Sequence, residues 1–401
     1  MRILLLVVYY LPSTMSSAKL IHDLAIELQR MGHEPVVVAP DENLKVSEEV
    51  EFQNGIKVLR VRSGRIKTAS RLMRGLNESR LSEVIWKRGR RFFKENPCDL
   101  IIYYSPTIFF GTLVKRLKKL FRCPSYLILR DIFPQWAVDS GILQQGIAYR
   151  YLKLKERQNY EAADIIGVQS PANLSYFKRN GLHGSYRLEV LYNWAALNEE
   201  NTRTGHYRER LGLQGKIVFF YGGNMGVAQD MDNILRLAEN MRHEKSAYFL
   251  LVGDGSEVPR LKTAIASKGL SNISVNNGME QQEYLSMLSE FDVGLISLDR
   301  GLKTQNFPGK MLGYMYHSMP ILASINPGND LRYILQDRKA GLVCMNGEDN
   351  EFAENAGKLL NNARLRLQLG KNARSLLESM FSVTGAAVQI LGHFENLNKN
   401  G

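Results

Sequence analysis

Short apolar runs separated by amphipathic segments dominate the first half of the chain. The runs are ILLLVVYY at 3–10, PVVVA at 35–39, KVLRV at 57–61, LIIYYS at 100–105, SYLILR at 125–130 and IIGVQS at 165–170. Between the first two, residues 16–31 carry apolar side chains about one helical turn apart, which predicts a helix that Gly32 ends. Strands that alternate with helices in this way form a doubly wound parallel sheet.

The same alternation starts again in the second half. Its apolar runs are KIVFFYGG at 216–223, YFLLVGDG at 248–255, ISVNNG at 273–278, VGLISL at 293–298 and PILAS at 320–324. The polar segment 198–215 has the composition of a linker. We therefore predict an α/β chain of two Rossmann-like domains, 1–197 and 198–383. They are expected to face each other across a cleft at the carboxyl ends of their sheets, where open α/β folds bind ligands.

Length and composition fit this division. With 401 residues, 44% of them hydrophobic, the chain is long enough for two cores. Its three cysteines, Cys98, Cys123 and Cys344, lie far apart without a CxxC spacing, which argues against a disulfide framework or a zinc site and for a reducing cytosol. No apolar stretch reaches the roughly 18 residues of a membrane span, so we expect a soluble or peripheral protein.

The formal net charge of +12 is concentrated in two basic clusters. One extends from Arg60 to Lys94 and the other from Lys115 to Arg122. Such charge predicts a polyanionic partner, either nucleic acid or an anionic membrane. Apolar residues such as Trp86 and Phe92 are interleaved with the first cluster, which favours the membrane, and no nucleic-acid motif accompanies the charge. The alternative is a solvated helix face with a buried apolar stripe.

The segment 307–324, FPGKMLGYMYHSMPILAS, places a turn, a helix and a strand in succession. Pro308 and Gly309 open it, residues 310–318 have the spacing of a short helix, and Pro320 ends that helix before a buried strand. A helix N-terminus with free backbone N–H groups and a cation in its first turn suits a phosphate group, and Lys310 supplies the cation. The alternative is an ordinary turn followed by a solvated lysine.

This segment resembles the donor-site helix of family 4 glycosyltransferases, which have the GT-B fold, in the variant P-[SG]-K-x-x-[EG]-Y-x-x-x-x-x-P. The loop YGGNMG at 221–226 is similar to that family's Y-x-G-N-x-G. The resemblance covers nearly the whole chain, with a final helix, 384–401, expected to cross back to the first domain. It implies that the second domain binds a UDP-sugar donor. The implied donor-binding residues are Gly223, Asn224, Gly226, Asn277, Met279, Lys303, Pro308, Gly309 and Met311.

The chain departs from that family at two acidic positions. Where family members commonly carry a Glu-x7-Glu pair that contacts the donor, this sequence has Gln305 and Gly313. The charge that develops on the leaving diphosphate must then be met by Lys310, with Lys303 as a second cation. The sequence Asp230–Asp232 spells D-x-D, a metal-binding motif of a different glycosyltransferase fold. Acids in a first helical turn complement the helix dipole, so we assign them a structural role and expect no metal.

In the first domain, Arg130 to Pro134 follows a strand and resembles the R-D-[LI]-[FW]-P segment of the same family. An acid at the carboxyl end of a strand points into the cleft, so Asp131 is our candidate for the base that takes the acceptor's proton. The alternative is a cap for the next helix. Arg130 is expected to pair with Asp131 or with an acceptor phosphate. Further candidates for contacting the acceptor are Ser16, Ser17 and Lys19.

The resemblance therefore implies a metal-independent glycosyltransferase that needs no cofactor besides its UDP-sugar substrate. Its acceptor is expected to be a polyprenyl-diphosphate-linked saccharide on the anionic, cytoplasmic face of the inner membrane, with no nucleic-acid partner. The chain is most similar to the L-fucosamine (N-acetyl-L-fucosamine) transferases of bacterial O-antigen and capsule assembly. Two alternatives remain open: a UDP-sugar epimerase of GT-B fold, which would need no acceptor, and a basic membrane- or nucleic-acid-binding protein without catalysis.

Overall fold

The computed structural model describes residues 1–13, 15–65, 77–139, 141–197, 206–279, 281–303 and 307–394, without the side chains of Gln281 and Gln282. These residues form two compact units. The first consists of Met1–Ala196 and the segment that begins at Val383, and the second is Leu197–Ser382. Each unit is built on its own sheet.

An eight-stranded sheet forms the centre of the first unit. Its strands are β1 Arg2–Leu6, β2 Glu34–Asp41, β3 Glu48–Gln53, β4 Ile56–Arg62, β5 Leu100–Tyr104, β6 Ser125–Leu129, β7 Ile165–Val168 and β8 Leu188–Val190. They are ordered β3-β4-β2-β1-β5-β6-β7-β8, and every neighbouring pair is parallel except the hairpin β3–β4. Each of the six apolar runs predicted in this half overlaps one of these strands.

Helices cover both faces of this sheet. They are α1 Ser16–Arg30, α2 Leu81–Glu95, α3 Gly111–Phe121, α4 Gln135–Asp139, α5 Ile147–Tyr160 and α6 Pro171–Arg179, with a 3-10 turn at His183–Ser185. Successive side chains of a strand point to opposite faces. In β1, Ile3 and Leu5 accordingly pack in one core cluster with α1, while Leu4 and Leu6 pack in another with α2 and α3. This is the layered arrangement that the alternating sequence pattern predicted.

The second unit repeats the architecture with six parallel strands. They are β9 Ile217–Gly222, β10 Ala247–Val252, β11 Ile273–Asn276, β12 Val293–Ser297, β13 Ile321–Ile325 and β14 Gly341–Met345, ordered β11-β10-β9-β12-β13-β14. The helices are α7 Tyr207–Arg210, α8 Met231–Asn240, α9 Val258–Ser267, α10 Gln281–Leu288, α11 Lys310–Tyr316, α12 Leu331–Asp337, α13 Asp349–Asn361 and α14 Ala363–Met380, with a 3-10 turn at Val227–Gln229. The expected doubly wound fold of both halves is confirmed.

The last helix, α15 Val383–Gly392, belongs to the first unit. Its first N–H donates to the carbonyl of Ala195 at 3.0 Å, and the side chain of Gln389 donates to the carbonyl of Val190 at 2.8 Å. Ala387, Ile390 and Leu391 are fully buried in the same core cluster as α1. The chain therefore returns to its first unit through an apolar helix face.

None of the helices in the described ranges combines the length and the apolar character that crossing a bilayer requires.

Candidate active site

The second sheet opens at the point where its strand order reverses. Strands β9 and β12 are neighbours, but their register extends only over Val293↔Phe219 and Gly294↔Phe220. Beyond this, the buried hydroxyl of Tyr314, on α11, accepts from the N–H of Gly222 at 3.1 Å and donates to the carbonyl of Leu295 at 3.2 Å. Ligands of open α/β sheets bind at such a switch point, outside the carboxyl ends of the strands.

Two glycines make room for the aromatic support of this crevice. A Cβ added to Gly294 would lie 2.3 Å from the Tyr314 ring, and one added to Gly222 would lie 2.3 Å from the hydroxyl of Tyr284, on α10. Both separations are too short for real atoms. The backbone of β9 at Gly222 therefore rests on Tyr284 and that of β12 at Gly294 rests on Tyr314, and a larger residue at either glycine would displace the tyrosine or the strand.

The loops after β9 and β10 are strapped together. The N–H of Met225 donates to the carbonyl of Asp254 at 2.8 Å, and the N–H of Glu257 donates back to the carbonyl of Met225 at 3.0 Å. Gly253 has a φ of +151°, and a Cβ there would lie 2.0 Å from the carbonyl oxygen of Gly223. This close approach requires glycine at position 253. It fixes the backbone surface at Gly223 against which the side chain of Lys310 lies.

The side chain of Lys310 lies against Gly223 and the ring of Tyr221. Its Nζ is 3.3 Å from the ring centroid of Tyr221, and its Cε and Nζ are 3.8 and 3.9 Å from where a Cβ of Gly223 would be. Burial lowers the pKa of this amine well below the ordinary lysine value. No ion pair to Lys310 occurs within the described part of the chain. The side chain of Lys310 is half-buried with its amine against the Tyr221 ring, so an ordinary solvated lysine does not describe it. With no acidic partner among the described residues, the amine is a natural place for an anionic group.

The helix that carries Lys310 is shorter than predicted. It ends at Tyr316 rather than Ser318, and its N-cap is the exposed Gly309, where an added Cβ would meet nothing within 4 Å. Pro308 is half-buried beside it. Open space above the first turn leaves the backbone accessible, and donor binding by Pro308 and Gly309 stays a prediction.

The structure contradicts the donor contact predicted for the side chain of Met311. It is 1% exposed, and its N–H donates to the carbonyl of Pro308 at 3.0 Å. Its side chain therefore belongs to the core under the loop and cannot face a donor.

The loop Gly223–Gly226 is ordered by a side chain that the sequence did not single out. Gln229 accepts from the Asn224 amide at 3.0 Å and from the N–H of Gly226 at 3.1 Å through the same oxygen. The carbonyl of Asn224 also accepts from the Tyr221 hydroxyl at 2.6 Å. The predicted Asn224 thus shapes its own loop. The spacing Asn–x4–Gln in the sequence was the signal that could have indicated this contact between Asn224 and Gln229.

Three further predicted donor residues, Asn277, Met279 and Lys303, lie in loops at the carboxyl side of this sheet. Asn277 and Lys303 are exposed and Met279 is half-buried. Their part in donor binding stays a prediction. Gln305 lies outside the described residues. At Gly313, an added Cβ would lie 3.1 Å from a methyl group of Leu288, so the site of the second missing acid faces an apolar neighbour.

The D-x-D acids have structural partners. Asp230 accepts from the amide of the buried Asn346 at 2.8 Å, and Asp232 pairs with Arg260 at 2.7 Å. Their predicted structural role agrees with these contacts. Within the described residues, no group of three or more His, Cys, Asp or Glu side chains is arranged to hold a metal ion.

In the first unit, Asp131 follows β6 as a half-buried acid, and burial raises the pKa of its carboxyl. It makes no hydrogen bond or ion pair to any described residue. The helix-cap alternative is wrong, because α4 begins four residues later and the N–H groups of Trp136 and Ala137 donate to Ile132 and Pro134 instead. An uncommitted carboxylate with a raised pKa has the properties of a general base.

Arg130 does not have its predicted role. Its guanidinium is buried and donates to the carbonyls of Leu191 at 2.8 Å and Tyr192 at 3.3 Å, and it lies 5.5 Å from the centroid of the Trp194 ring. Burial lowers its pKa. Its Nη1 and Nη2 donate to the backbone after β8, while its buried Nε has no hydrogen-bond partner among the described residues. Arg130 therefore holds that segment from a buried position and forms no ion pair with Asp131 in the described part of the chain.

The remaining acceptor candidates lie in the first turn of α1. Ser16 is exposed and Ser17 is half-buried. Lys19 is paired with Asp23, its Nζ 3.0 Å from both carboxylate oxygens. One turn further, His22 is hydrogen-bonded to the Tyr10 hydroxyl at 2.7 Å. The structure thus commits Lys19 to an ion pair and leaves the two serines as candidates.

In the basic cluster of 60–94, the apolar residues of the described helix α2 pack in or against the core. Residues 66–76 lie outside the described part. In α2, Ile85, Phe92 and Phe93 are buried in the core, and Trp86 packs against it, while the cations from Lys87 to Lys94 are exposed. Phe92 is therefore buried and cannot insert into a membrane, and the half-buried Trp86 packs on the core, so α2 forms a solvated face with a buried stripe. Membrane contact elsewhere between Arg60 and Lys94 stays a prediction.

Two family models match the chain. The one described as "Glycosyl transferase 4-like domain" matches residues 17–194, and "Glycosyl transferases group 1" matches residues 205–376. The first part of the chain is thus similar to a glycosyl transferase 4-like domain and the second part to a group 1 glycosyl transferase domain. This agrees with the resemblance found in its sequence motifs.

Relatives with assigned names match over part of their length. "Probable glycosyltransferase WbjE" of Pseudomonas aeruginosa is 27% identical over 222 residues, which are 54% of this chain and 55% of that protein. "Alpha-D-kanosaminyltransferase" of Streptomyces kanamyceticus is 22% identical over 201 residues, 50% of each chain. The chain thus spans about half the length of the curated relatives it matches.

Solved structures match over nearly the full chain. Sucrose-phosphate synthase from Thermosynechococcus elongatus has a TM-score of 0.75 at 15% identity, covering 100% of both chains. Anabaena Alr3699/HepE in complex with UDP has a TM-score of 0.69 at 16% identity, covering 99% of this chain and 100% of that one. WaaG, a glycosyltransferase involved in lipopolysaccharide biosynthesis, has a TM-score of 0.65 at 15% identity, covering 97% and 100%. These likenesses identify the fold as GT-B.

Proposed function

We propose that this protein is a glycosyltransferase that moves a sugar from a UDP-sugar to a hydroxyl of a lipid-linked saccharide in surface-polysaccharide assembly. The observation that carries the proposal is the desolvated Lys310 amine on the Tyr221 ring, beside the glycine loop after β9. A buried amine without a counter-ion gains most from a diphosphate placed next to it. The match of this unit to a group 1 glycosyl transferase domain supports the same assignment.

The donor half of the reaction is assigned to the second unit. The leaving UDP acquires negative charge as the glycosidic bond breaks, and a preorganised cation in a dry site stabilises that charge. Lys310 supplies it here, beside the open turn at Gly309. The N–H groups of Gly223, Met225 and Gly226 already donate to Val252, Asp254 and Gln229, so the loop Gly223–Gly226 contributes its close backbone approach rather than these donors. The neighbour HepE is a complex with UDP, which favours uracil as the base. We propose N-acetyl-L-fucosamine as the sugar, on the sequence resemblance alone.

The acceptor half is assigned to the first unit, where Asp131 takes the proton of the incoming hydroxyl. We propose a polyprenyl-diphosphate-linked saccharide as the acceptor and the anionic cytoplasmic face of the inner membrane as its place. The fold neighbour WaaG takes part in lipopolysaccharide biosynthesis, which is consistent with such a substrate. No metal or cofactor is part of the proposed reaction, and activity that survives chelation with EDTA is the expected result.

The direct test is a thermal-shift screen of the full chain against nucleotide sugars. A ligand that binds only the folded state stabilises it by RT ln(1 + [L]/Kd), about 2.7 kcal/mol at a hundredfold excess over Kd. UDP-N-acetyl-L-fucosamine should give the largest shift, and the corresponding GDP-sugars none. A response to no uridine nucleotide would overturn the donor assignment.

A second measurement separates the proposal from an epimerase. The protein is incubated with the UDP-sugar that stabilises it, without an acceptor, and the nucleotide sugar is analysed. A transferase leaves it unchanged or hydrolyses it slowly, whereas conversion to an epimer would contradict the proposal.

A further inference from the structure

The first unit exposes an apolar stripe on α5 that its core does not use. Ile147, Tyr151 and Leu154 are 88%, 44% and 52% exposed. They are four and three residues apart, so they share one face of the helix. Ile142, which is 60% exposed, precedes the helix. We call Ile142, Ile147, Tyr151 and Leu154 the α5 stripe.

The stripe is a concentrated feature. Its members are four of the fourteen large hydrophobic residues recorded as exposed in the described part of the chain, although they fall within thirteen consecutive positions. Helix α5 has a separate inner face, on which Glu156, Asn159 and Tyr160 are buried. The stripe is therefore additional to the packing of the helix, and a clustered apolar surface of this kind marks an interaction site.

Cations accompany the stripe without being neutralised. Arg150 is exposed and forms no ion pair with a described residue. Lys155 donates to the side-chain oxygen of Gln158 at 3.3 Å and lies 5.6 Å from the centroid of the Tyr151 ring, again without an acidic partner in the described ranges. Apolar side chains flanked by free cations complement an anionic lipid surface, where the chains enter the interface and the cations meet the headgroups.

The other exposed apolar patch lacks this charge. Val50 and Phe52 are 44% and 68% exposed on the edge strand β3, but they alternate with Glu49 and Glu51. An anionic surface would repel these acids. Charge complementarity therefore selects the α5 stripe.

The groove beside α5 is also a weaker candidate. It has a volume of about 640 Å³ and includes Leu154, Leu182 and Tyr186 in its lining. Its cations are already taken, because Lys153 pairs with Glu156 and Arg157 with Glu161. The convex stripe, not the groove, retains free positive charge.

We propose that the α5 stripe docks the first unit on an anionic phospholipid surface. The inference rests on the proposed function, to which it adds the place of membrane contact. It also differs from the contact expected at 60–94, where Ile85, Phe92 and Phe93 of α2 are buried. Ile147, Tyr151 and Leu154 enter the lipid interface, and Arg150 and Lys155 lie at the level of the phosphates.

The test is flotation of the full chain with vesicles made of equal parts phosphatidylglycerol and phosphatidylcholine, compared with phosphatidylcholine alone. The variant I147S/Y151S/L154S should lower the partition coefficient on the mixed vesicles by at least about tenfold, because burying one such side chain is worth about that factor. Arg150→Glu should weaken binding only to vesicles that contain phosphatidylglycerol, and added salt should weaken the binding of the wild type. The matched control is Y333S/L367S, which removes two side chains of 61% and 68% exposure from the second unit.

Binding of the triple variant equal to that of the wild type would overturn the proposal, as would an equal loss in the control. So would a wild-type dimer in sedimentation equilibrium that the triple variant converts to a monomer, since a second copy would then cover the stripe. UDP binding of each variant, measured by calorimetry, verifies folding and tests the donor site separately. Lost flotation with intact UDP binding therefore supports the docking surface, and absent UDP binding by the wild type counts only against the proposed function.

Discussion

Lys310 shows how one side chain can link ligand binding to protonation. Burial on the Tyr221 ring holds the pKa of its amine well below the ordinary lysine value. The unfolded chain keeps the ordinary value, so between the two pKa values the unfolded state binds more protons and stability rises with pH across that window. A diphosphate next to the amine restores the charged form, so binding within the same window should take up a proton.

The corresponding variant is Lys310→Met, which keeps an apolar chain on Tyr221 and removes the amine. We expect kcat to fall by roughly 10²-fold, the effect of losing one preorganised electrostatic donor. Calorimetry of UDP binding in buffers of different ionisation enthalpy should show proton uptake in the wild type and none in the variant. Lys262→Met, at an exposed lysine on α9, is the control. Wild-type kcat and proton uptake in Lys310→Met would return this lysine to a purely structural role.

The protonation of Asp131 changes the stability of the fold with pH in the opposite direction to that of Lys310. Burial raises the pKa of its carboxyl, so the folded state binds more protons than the unfolded state between the two pKa values, and stability falls as pH rises through that window. The base is active only when deprotonated, so the rate should decline on the acidic side at a pH above that of an ordinary aspartate. The deprotonated carboxylate, which the proposed chemistry needs, therefore lowers the stability of the folded state.

Asp131→Asn should therefore lower kcat by roughly 10²- to 10⁴-fold, leave UDP affinity almost unchanged and raise the melting temperature slightly. Asp139→Asn, at the exposed end of α4, is the control. A protein base is needed when the acceptor attacks the face opposite the leaving group, so proton NMR of the product should show an inverted anomeric centre. Retention of configuration together with an active Asp131→Asn variant is the outcome that this hypothesis does not survive.

Some residues of the donor crevice have roles that follow from their own chemistry, and others have roles that depend on partners far away in the sequence. Gly223, Gly309 and Lys310 were predicted because backbone freedom and charge belong to the residue itself. The roles of Tyr221 and Tyr314 were not, although both stand in the motifs, because their functions depend on distant partners. Tyr314 meets Gly222 and Leu295 only after the sheet has formed. Arg130 was misassigned for the same reason, since its partners lie about sixty residues away.

At the scale of elements, α11 joins β9 and β12 through the Tyr314 hydroxyl, which is hydrogen-bonded to both strands. Tyr314→Phe leaves the N–H of Gly222 without this acceptor at a buried position, which costs about 1–3 kcal/mol. We expect that loss in chemical denaturation, together with weaker UDP binding, because the glycine loop starts at this bond. Tyr333→Phe, at a 61% exposed tyrosine, should change neither. Full stability in Tyr314→Phe would show that the bridge is dispensable.

Helix periodicity predicts a helix and its apolar face but not what covers that face. In α2 the stripe lies in the core, whereas in α5 a similar spacing lies in solvent, and the two look alike in sequence. The strands β3 and β14 were not predicted. The turn Asn54–Gly55 is a hairpin signal for β3 and β4, but β3 is rich in acids and lacks the apolar run that marks the other strands. Long apolar runs were found correctly because burial on both faces leaves a continuous signal.

At the scale of the whole molecule, the chain leaves its first unit, builds the second and returns through α15. The final helix completes the first core: Leu391 is fully buried in the same cluster as Leu24 and Leu28 of α1. The second unit has a separate core cluster. Two units with their own cores can unfold in separate transitions, and a ligand stabilises only the one that binds it.

Leu391→Ala should therefore destabilise the first unit by about 2–5 kcal/mol, through lost apolar contact and the cavity left behind. In differential scanning calorimetry we expect the variant to lower one transition and saturating UDP to raise the other, each effect appearing without its counterpart. Val388→Ala removes a side chain that is 54% exposed on the same helix and should shift stability by no more than about 0.5 kcal/mol. If Leu391→Ala and UDP move the same transition, the two cores do not unfold independently, and the donor site then draws its stability from the whole chain rather than from the second unit.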